Sequence, residues 1–252
     1  CSVPINKETN LAISIDEPPP KPKNLSSEKK LMNEMNLSAA RRMMVDCQIR
    51  PTKVTDERVL EAFATVPREL FVGKSQRSIA YVDEDLPLQG GRWLLEPMVL
   101  ARLVQALDVG MSDHVLIVGG ATGYGTAILA QLAGSVISIE TRAQLVEKSQ
   151  ETLVSIGSDN AAVIKSRLSD GFSKEGPYER ILVEGAVAHM PKKLLDQLTP
   201  KGKLVAVWRQ ADAPVGVASL WCRAGAGFTR TPLFDAQTPV LDEFRAKQEF
   251  VF

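Results

Sequence analysis

The spacing of hydrophobic positions changes partway along this chain. From Leu37 onward, apolar residues recur every three or four positions, which predicts a helix that Ser38 caps and Pro51 ends. A second short helix is predicted to start after the capping residue Thr55 and to end before Pro67. Two short helices therefore precede the longer apolar runs.

Beyond residue 97, short continuous apolar runs alternate with segments of helical spacing. The runs that predict buried strands are HVLIVGG, SVISIE, AAVIKSRLSD, ERILVEG and GKLVAVW. The segments that predict helices are MVLARLVQAL, GTAILAQLA, AQLVEKSQETLVSIG and PKKLLDQL. After Gln210, three extended pieces follow without helices between them, GVASLWCR, GFTRTPLF and QEFVF. This succession predicts an open α/β sheet that is mainly parallel and has an antiparallel end.

The first part of the chain lacks this patterning. Residues 1–36 contain DEPPPKPKNLSSEKK, in which Pro, Lys, Glu and Ser dominate and large apolar residues are scarce. A segment of this composition cannot bury enough apolar surface to offset the entropy that is lost on ordering. We therefore expect a flexible proline-rich arm over residues 1–36 and one folded domain over residues 37–252.

Composition narrows the classes of function. The 252 residues are 44% hydrophobic and 24% charged with a formal net charge of zero, so no global charge attracts nucleic acid or anionic lipid. Cys1, Cys47 and Cys222 have no CxxC spacing, and the sequence predicts neither a metal site nor a disulfide framework. No apolar run approaches the roughly 18 residues of a membrane-spanning helix. Because the first residue is Cys1 rather than Met, we expect a processed or truncated product.

One apolar run ends on a cluster of glycines, VLIVGGATGYG over residues 115–125. Gly119, Gly120 and Gly123 allow a ligand to approach the backbone closely, at the edge of the sheet where open α/β folds bind ligands. Glu140 ends the next predicted strand, 21 positions after Gly119. This spacing suits a carboxylate that binds both hydroxyls of a ribose, and nicotinamide enzymes share it with S-adenosylmethionine enzymes.

A short-chain dehydrogenase would need two further signals. Its pattern has another glycine three positions after Gly123, where Thr126 stands, and a downstream Tyr-x-x-x-Lys. Tyr178 is followed at the fourth place by Leu182. Hydride transfer is therefore disfavoured.

Seven segments follow one another between residue 37 and residue 210. They are VLEAFATVPRELFV, AYVDEDLPLQGGRWLLEP, VLIVGGATGYGTAILAQLAG, VISIE, LSDGF, PYERILVEGA and LLDQLTPKGKLV. Their order and spacing resemble the protein-L-isoaspartate O-methyltransferase family, and most of all its divergent alphaproteobacterial branch. The resemblance implies an α/β fold of the S-adenosylmethionine-dependent methyltransferase (Rossmann-like) type, with a seven-stranded, mainly parallel sheet and an N-terminal helical extension. It also implies methyl transfer from S-adenosylmethionine to a carboxylate of isomerised aspartyl residues, a protein repair activity.

The same resemblance assigns roles along the chain. It implies a helical and substrate-loop part over residues 37–97, a cofactor-binding core over 98–210 and an antiparallel C-terminal part over 211–252. The residues implied to contact the cofactor are Gly119, Gly120, Ala121 and Gly123 in the turn, Glu140 at the ribose, Asp170 and Gly171 at the adenine, and Glu184 beneath the sulfonium.

Several positions depart from the family pattern. Leu95 stands where the family has a serine that contacts the substrate, so one hydrogen bond of about 0.5–1.5 kcal/mol is lost. Ile117 replaces an acidic residue and Ala121 replaces a glycine, which together are expected to weaken cofactor binding roughly tenfold to a thousandfold. Arg92 is a catalytic candidate that would clamp a carboxylate, but we favour an ion pair with Glu96, four positions on.

Two hypotheses follow. The first is an S-adenosylmethionine-dependent methyltransferase that acts on a carboxylate of a protein or peptide. The second is a catalytically degenerate subunit that keeps the fold and has a structural role in a larger assembly, with partners bound through the N-terminal arm. The alphaproteobacterial resemblance and the missing Met predict a location in the mitochondrial matrix or in a bacterial cytoplasm.

Overall fold

The computed structural model describes residues 25–210, 213–225 and 227–245. The α-helices in this part of the chain are α1 (Leu25–Met44), α2 (Glu57–Thr65), α3 (Pro97–Leu107), α4 (Tyr124–Ala130), α5 (Ala143–Ser155) and α6 (Lys192–Leu195). The strands are β1 (Leu86–Pro87), β2 (Trp93–Leu94), β3 (His114–Val118), β4 (Ser135–Glu140), β5 (Ala161–Lys165), β6 (Tyr178–Val187), β7 (Leu198–Trp208), β8 (Gly216–Ala224) and β9 (Gly227–Ala236). Within these bounds, no helix combines the length and the hydropathy that a membrane crossing requires.

Seven strands form one sheet in the order β5-β4-β3-β6-β7-β8-β9. Strands β3 to β7 pair in parallel, and β8 and β9 extend the sheet in antiparallel fashion. Strand β3 lies between β4 and β6, and its apolar residues 115–118 are fully buried, as expected for a central parallel strand. The predicted fold class is therefore confirmed. The predicted extended piece QEFVF lies entirely outside the described residues.

The two faces of the sheet support separate hydrophobic clusters. Val115 and Ile117 point into the larger cluster, to which α2, α3 and α4 contribute. Leu116 and Val118 point to the opposite face and into the smaller cluster, together with α6. Successive side chains of a strand point to opposite faces of the sheet. The register of each strand therefore determines toward which face its last side chains point.

Helix α1 begins at Leu25, well before the predicted start at Leu37, so residues 25–36 of the predicted arm are helical. Leu, Glu, Lys and Met in this stretch are good helix formers, which an argument from low hydrophobicity overlooks. Ser38 consequently lies inside the helix and does not cap it. Contacts divide the chain into units of residues 1–35 and 36–252, and α1 contributes to both. Residues 1–24 lie outside the described part, and the flexibility of the arm stays a prediction.

Helix α2 is capped by a different residue from the predicted Thr55. The side chain of Asp56 accepts a hydrogen bond from the backbone N–H of Arg58 at 2.9 Å. A carboxylate also interacts favourably with the positive end of the helix dipole, which gives Asp56 an advantage over a neighbouring hydroxyl.

The last described segment returns to the centre of the sheet. We call residues 238–245 the C-terminal strap. Val240 forms a parallel bridge with Ala186 near the carboxyl end of β6, and a 3-10 turn over Asp242–Phe244 follows. Leu241 and Phe244 are buried in the smaller hydrophobic cluster. The strap therefore lies at the edge of the sheet where the sequence predicts a ligand.

Candidate functional site

The predicted glycine turn connects β3 to α4 at the carboxyl edge of the sheet. Gly119 and Gly123 have φ values of +81° and +95°, which side-chain-bearing residues rarely adopt. Ala121 between them also has a positive φ, +46°, so its methyl group is carried in a conformation that normally favours glycine. The sequence thus places the turn correctly, and the departure at Ala121 has a local conformational cost.

Glu140 ends β4 beside this turn and is completely buried. Its carboxylate forms a bidentate ion pair with Arg92, from Nε to Oε2 and from Nη2 to Oε1, each at 2.9 Å. The N–H groups of Thr141 and Arg142 also donate to Oε1, at 2.6 and 3.2 Å. The carboxylate that the resemblance implies for a ribose is therefore bound at both oxygens by the chain itself, and Arg92 binds both of them.

The predicted ion pair between Arg92 and Glu96 is wrong. An i,i+4 pair meets only on a helix, whereas β2 lies between these residues and keeps the backbone extended, about 13 Å over four positions. Glu96 instead precedes α3, where its N–H donates to Asp85. The pKa of Glu96 is raised to about 7, mainly by burial and to a lesser extent by repulsion from Asp83, Asp85 and Glu84.

Glu243 of the strap completes the charge cluster. Its two oxygens accept hydrogen bonds from Arg92 at 2.9 and 3.2 Å, and Oε1 also accepts one from the Thr141 hydroxyl. Burial alone would lower the pKa of Arg92, but the hydrogen bonds to Glu140 and Glu243 outweigh it and raise the pKa. Burial would raise the pKa of Glu243, and the Arg92 hydrogen bond instead lowers it. Arg92 and Glu243 are therefore both charged near neutral pH.

Leu241 covers the glycine turn from the strap side. A Cβ atom built on Gly119 would lie 3.2 Å from Leu241 Cδ1, and one built on Gly185 would lie 2.5 Å from Leu241 Cγ. At Gly185 a side chain would collide with Leu241, whereas at Gly119 Leu241 would have to shift by a few tenths of an ångström. The surface that the turn would offer to a ligand is in contact with Leu241 instead.

Glu184 projects from β6 beneath the first turn of α4. Its side chain is buried, and Oε2 has no hydrogen-bond partner among the described protein atoms. A Cβ built on Gly125 would lie 2.5 Å from Oε2, so the carboxyl group packs directly against that glycine. Burial raises the pKa of Glu184 to about 8, although Arg68 opposes the shift. Near pH 7 this group therefore carries a proton.

Asp170 and Gly171 lie farther out at the same edge. Asp170 ends a short 3-10 turn and forms an exposed ion pair with Lys193 at 2.9 Å. The hydrogen bond from Lys193 lowers the pKa of Asp170. Gly171 has φ +64° and packs against Gln197. Their implied role at an adenine ring stays a prediction.

Leu95 is buried in the larger hydrophobic cluster directly before α3. Its carbonyl oxygen accepts a hydrogen bond from Nη2 of the fully buried Arg68 at 2.8 Å. The side chain is therefore part of the protein interior. A cavity of about 270 Å³ lies beside the glycine turn and is lined in part by Thr122, Gly73 and Lys148. That volume is slightly below the roughly 300–1,000 Å³ of most ligand pockets.

Sequence reasoning missed Leu241, Glu243 and the partner of Arg92. Arg92 and Glu243 are 151 positions apart, and no local motif connects them. The available signal was weak, because Leu241 and Glu243 lie between the predicted extended pieces GFTRTPLF and QEFVF, where the sequence predicted no element. In the part of the chain that is described, no group of three or more His, Cys, Asp or Glu residues could hold a metal ion.

Comparisons with known proteins agree with this architecture. Residues 39–214 match the family described as Protein-L-isoaspartate(D-aspartate) O-methyltransferase. A protein-L-isoaspartate O-methyltransferase of Methanoculleus marisnigri is 37% identical over 166 residues, which are 66% of this chain and 76% of that protein. One from Rhodopseudomonas palustris is 34% identical over 210 residues, which are 83% of this chain and 82% of that protein.

Two solved structures share the fold. One, a protein-L-isoaspartate O-methyltransferase, has a TM-score of 0.72 at 20% identity and covers 81% of this chain and 67% of its own. The other comes from Plasmodium falciparum, is assigned to the same group and contains S-adenosyl-L-homocysteine. Its TM-score is 0.68 at 21% identity, and the match covers 81% of this chain and 98% of that one.

Proposed function

The chain belongs to the protein-L-isoaspartate O-methyltransferase family, and from this premise we propose that it is an S-adenosylmethionine-dependent methyltransferase acting on a carboxylate of a protein substrate. The observation that carries the proposal is the glycine turn after β3 with Glu140 at the end of the adjacent strand β4. Both lie within the residues that match the family. The family uses S-adenosylmethionine, and the Plasmodium falciparum relative contains its demethylated product.

Methyl transfer to a carboxylate makes modest demands on a protein. A carboxylate is already ionised near neutral pH, so no general base is needed to activate it. Catalysis then depends on alignment of the two reactants and on the removal of water from the carboxylate. Leu95 offers no hydroxyl for alignment, so the backbone and the loops around the cavity beside Thr122 must position the substrate.

The side chains at the strand ends do not fit the cofactor in the conformation described here. Arg92 and backbone N–H groups occupy both oxygens of Glu140, and Leu241 covers Gly119. Five hydrogen bonds from the chain reach this carboxylate, four of them at Oε1 and one, from Arg92 Nε, at Oε2. The proposed activity therefore requires a second arrangement in which Arg92 and Leu241 leave these positions.

A second candidate function is favoured by the same contacts. The Arg92–Glu140 pair is buried, as is required of a permanent internal contact. Leu95 and Ile117 lack the polar groups that the family pattern has, and Ala121 replaces a glycine of that pattern. A chain with these features can serve as a non-catalytic subunit of a larger assembly. Its partner would be a protein, bound in part through the N-terminal arm, and its location the mitochondrial matrix or a bacterial cytoplasm. Fractionation of the source cells, followed by cross-linking of the native protein, tests both of these finer proposals.

Radiolabel transfer separates the two functions. The purified chain is incubated with methyl-labelled S-adenosylmethionine and a peptide that contains one isoaspartyl residue, and the same peptide with ordinary aspartate is the control. Label in the isoaspartyl peptide alone supports the enzyme. No label, together with no heat of binding at millimolar cofactor, would favour the non-catalytic subunit.

A further inference from the structure

The C-terminal strap is fixed to β6 by backbone hydrogen bonds. The N–H of Leu241 donates to the carbonyl of Ala186 at 3.0 Å, and the N–H of Ala186 donates to Pro239 at 2.9 Å. The N–H of Ala188 donates to the carbonyl of Phe244 at 3.0 Å. The strap therefore has a defined position over the carboxyl end of β6, rather than a loose approach to it.

Its side chains fill two separate parts of the site. Leu241 contacts Gly119 and Gly185, one at the glycine turn and the other on β6. Glu243 binds Arg92, which in turn binds Glu140 at the end of β4. The strap thus covers the glycines of the site with Leu241 and binds the Arg92–Glu140 pair through Glu243.

Arg92, Glu140 and Glu243 differ in side-chain exposure, and this difference indicates at which of them the cluster can open. Arg92 and Glu140 have side-chain exposures of 1% and 0%, whereas Glu243 retains 26%. A buried ion pair leaves an uncompensated charge when it is broken, unless another polar group replaces the lost partner. A ribose offers hydroxyl donors to Glu140, and Arg92 would move outward with Glu243 into water.

We propose that Arg92 and the C-terminal strap form an internal lock on the adenosyl site, which must be released before S-adenosylmethionine or its product can bind. This inference rests on the proposed function and adds its regulation. The apparent affinity for the ligand is then reduced by the fraction of molecules in which the lock is open. Anything that weakens the lock without removing Glu140 should strengthen binding.

Glu243→Gln tests the charged part of the lock most directly, because it keeps the shape of the side chain and leaves no new charge buried. Asp242→Asn is its matched control, since Asp242 is the preceding residue of the same turn and pairs only with the partly exposed Arg142 and Arg245 among the described residues. We expect Glu243→Gln to bind S-adenosylhomocysteine roughly three- to tenfold more tightly than the unchanged protein in calorimetry, as loss of one charge-assisted hydrogen bond implies. Asp242→Asn should bind like the unchanged protein.

Leu241→Ala provides a second variant that acts on the apolar part of the lock. Hydrogen exchange of peptides over residues 238–245 reports independently whether the strap is released. We expect faster exchange in Leu241→Ala, and in the unchanged protein when S-adenosylhomocysteine is added. Equal affinity of all variants, or binding that leaves the exchange of the strap unchanged, would overturn the lock.

Failure of the proposed function has a different signature. In that case Leu241→Ala would show a freely exchanging strap and still give no heat with S-adenosylhomocysteine. This result would refute both cofactor binding and the role of the strap as its gate. Tight binding without strap release would refute the lock alone.

Discussion

Arg92 is the residue on which most of the site depends, because its guanidinium lies between two carboxylates at a depth where water cannot replace it. The sequence indicated Arg92 as a residue of interest but not its partner. Arg92 pairs with Glu140 and Glu243 because β2 keeps the backbone extended and because Glu243, 151 positions away, folds back to it. Neither cause can be read from the residues next to Arg92 in the sequence.

Replacement of Arg92 by Ala should destabilise the protein by about 3–5 kcal/mol, because the buried Glu140 would lose the guanidinium that pairs with it. Urea unfolding measures the loss. The exposed pair of Arg50 with Glu57 is the control, and Arg50→Ala should leave the midpoint nearly unchanged. A similar, small effect for both variants would mean that Arg92 is not buried against Glu140 in solution.

Glu184 gives a pH dependence with a definite sign. Its pKa in the folded protein is about 8, against an ordinary value of 4.5. Between these values the folded protein keeps a proton that the unfolded chain has lost, so stability falls as the pH rises from about 5 to 8, by up to about 1.4 kcal/mol per pH unit.

Glu184→Gln removes this titration and should become more stable than the unchanged protein as the pH approaches 8. Thermal unfolding of both proteins from pH 5 to pH 8 tests the sign. Glu147→Gln, on the exposed side of α5, is the control and should follow the unchanged protein. Parallel curves for Glu184→Gln and the unchanged protein would show that the carboxyl group is not buried.

At the scale of elements, strands and helices whose apolar pattern was continuous were predicted correctly, as β3, β4 and α3 show. Errors arose where the pattern was weak. Helix α1 starts in a polar stretch that forms a helix through intrinsic propensity, and Asp56 caps α2 through a charge that competes with the hydroxyl of Thr55. The strap could not be predicted, because its position depends on β6 and on glycines far away in the chain.

The first turn of α4 offers a test of how closely these elements pack. Alanine favours a helix over glycine by about 1 kcal/mol. Gly125→Ala should nevertheless destabilise the protein by about 1–3 kcal/mol, because the added methyl group overlaps the Glu184 carboxyl group. Thermal unfolding measures the change.

A double variant decides whether the overlap is the cause. With Glu184→Ala in place the methyl group has room, so the loss from both changes together should be clearly smaller than the sum of the two single losses. If the losses of stability were strictly additive, the destabilisation by Gly125→Ala would not come from overlap with Glu184.

At the scale of the whole molecule, the family pattern, the parallel sheet and the position of the glycine turn were all predictable from sequence. The pattern of apolar runs requires a buried sheet, and ligands in such sheets meet the carboxyl ends of the strands. The closed state was not predictable, since it arises from three segments that meet only after folding: the hairpin of β1 and β2, the end of β4 and the strap.

The most direct measurement is a crystal structure of the chain grown with saturating S-adenosylhomocysteine. We expect the ligand at the turn of Gly119 to Gly123, with Glu140 on its ribose, Arg92 withdrawn and residues 238–245 lifted from β6. Arg92 still paired with Glu140 and Leu241 still on Gly119, with or without a ligand elsewhere, would contradict it.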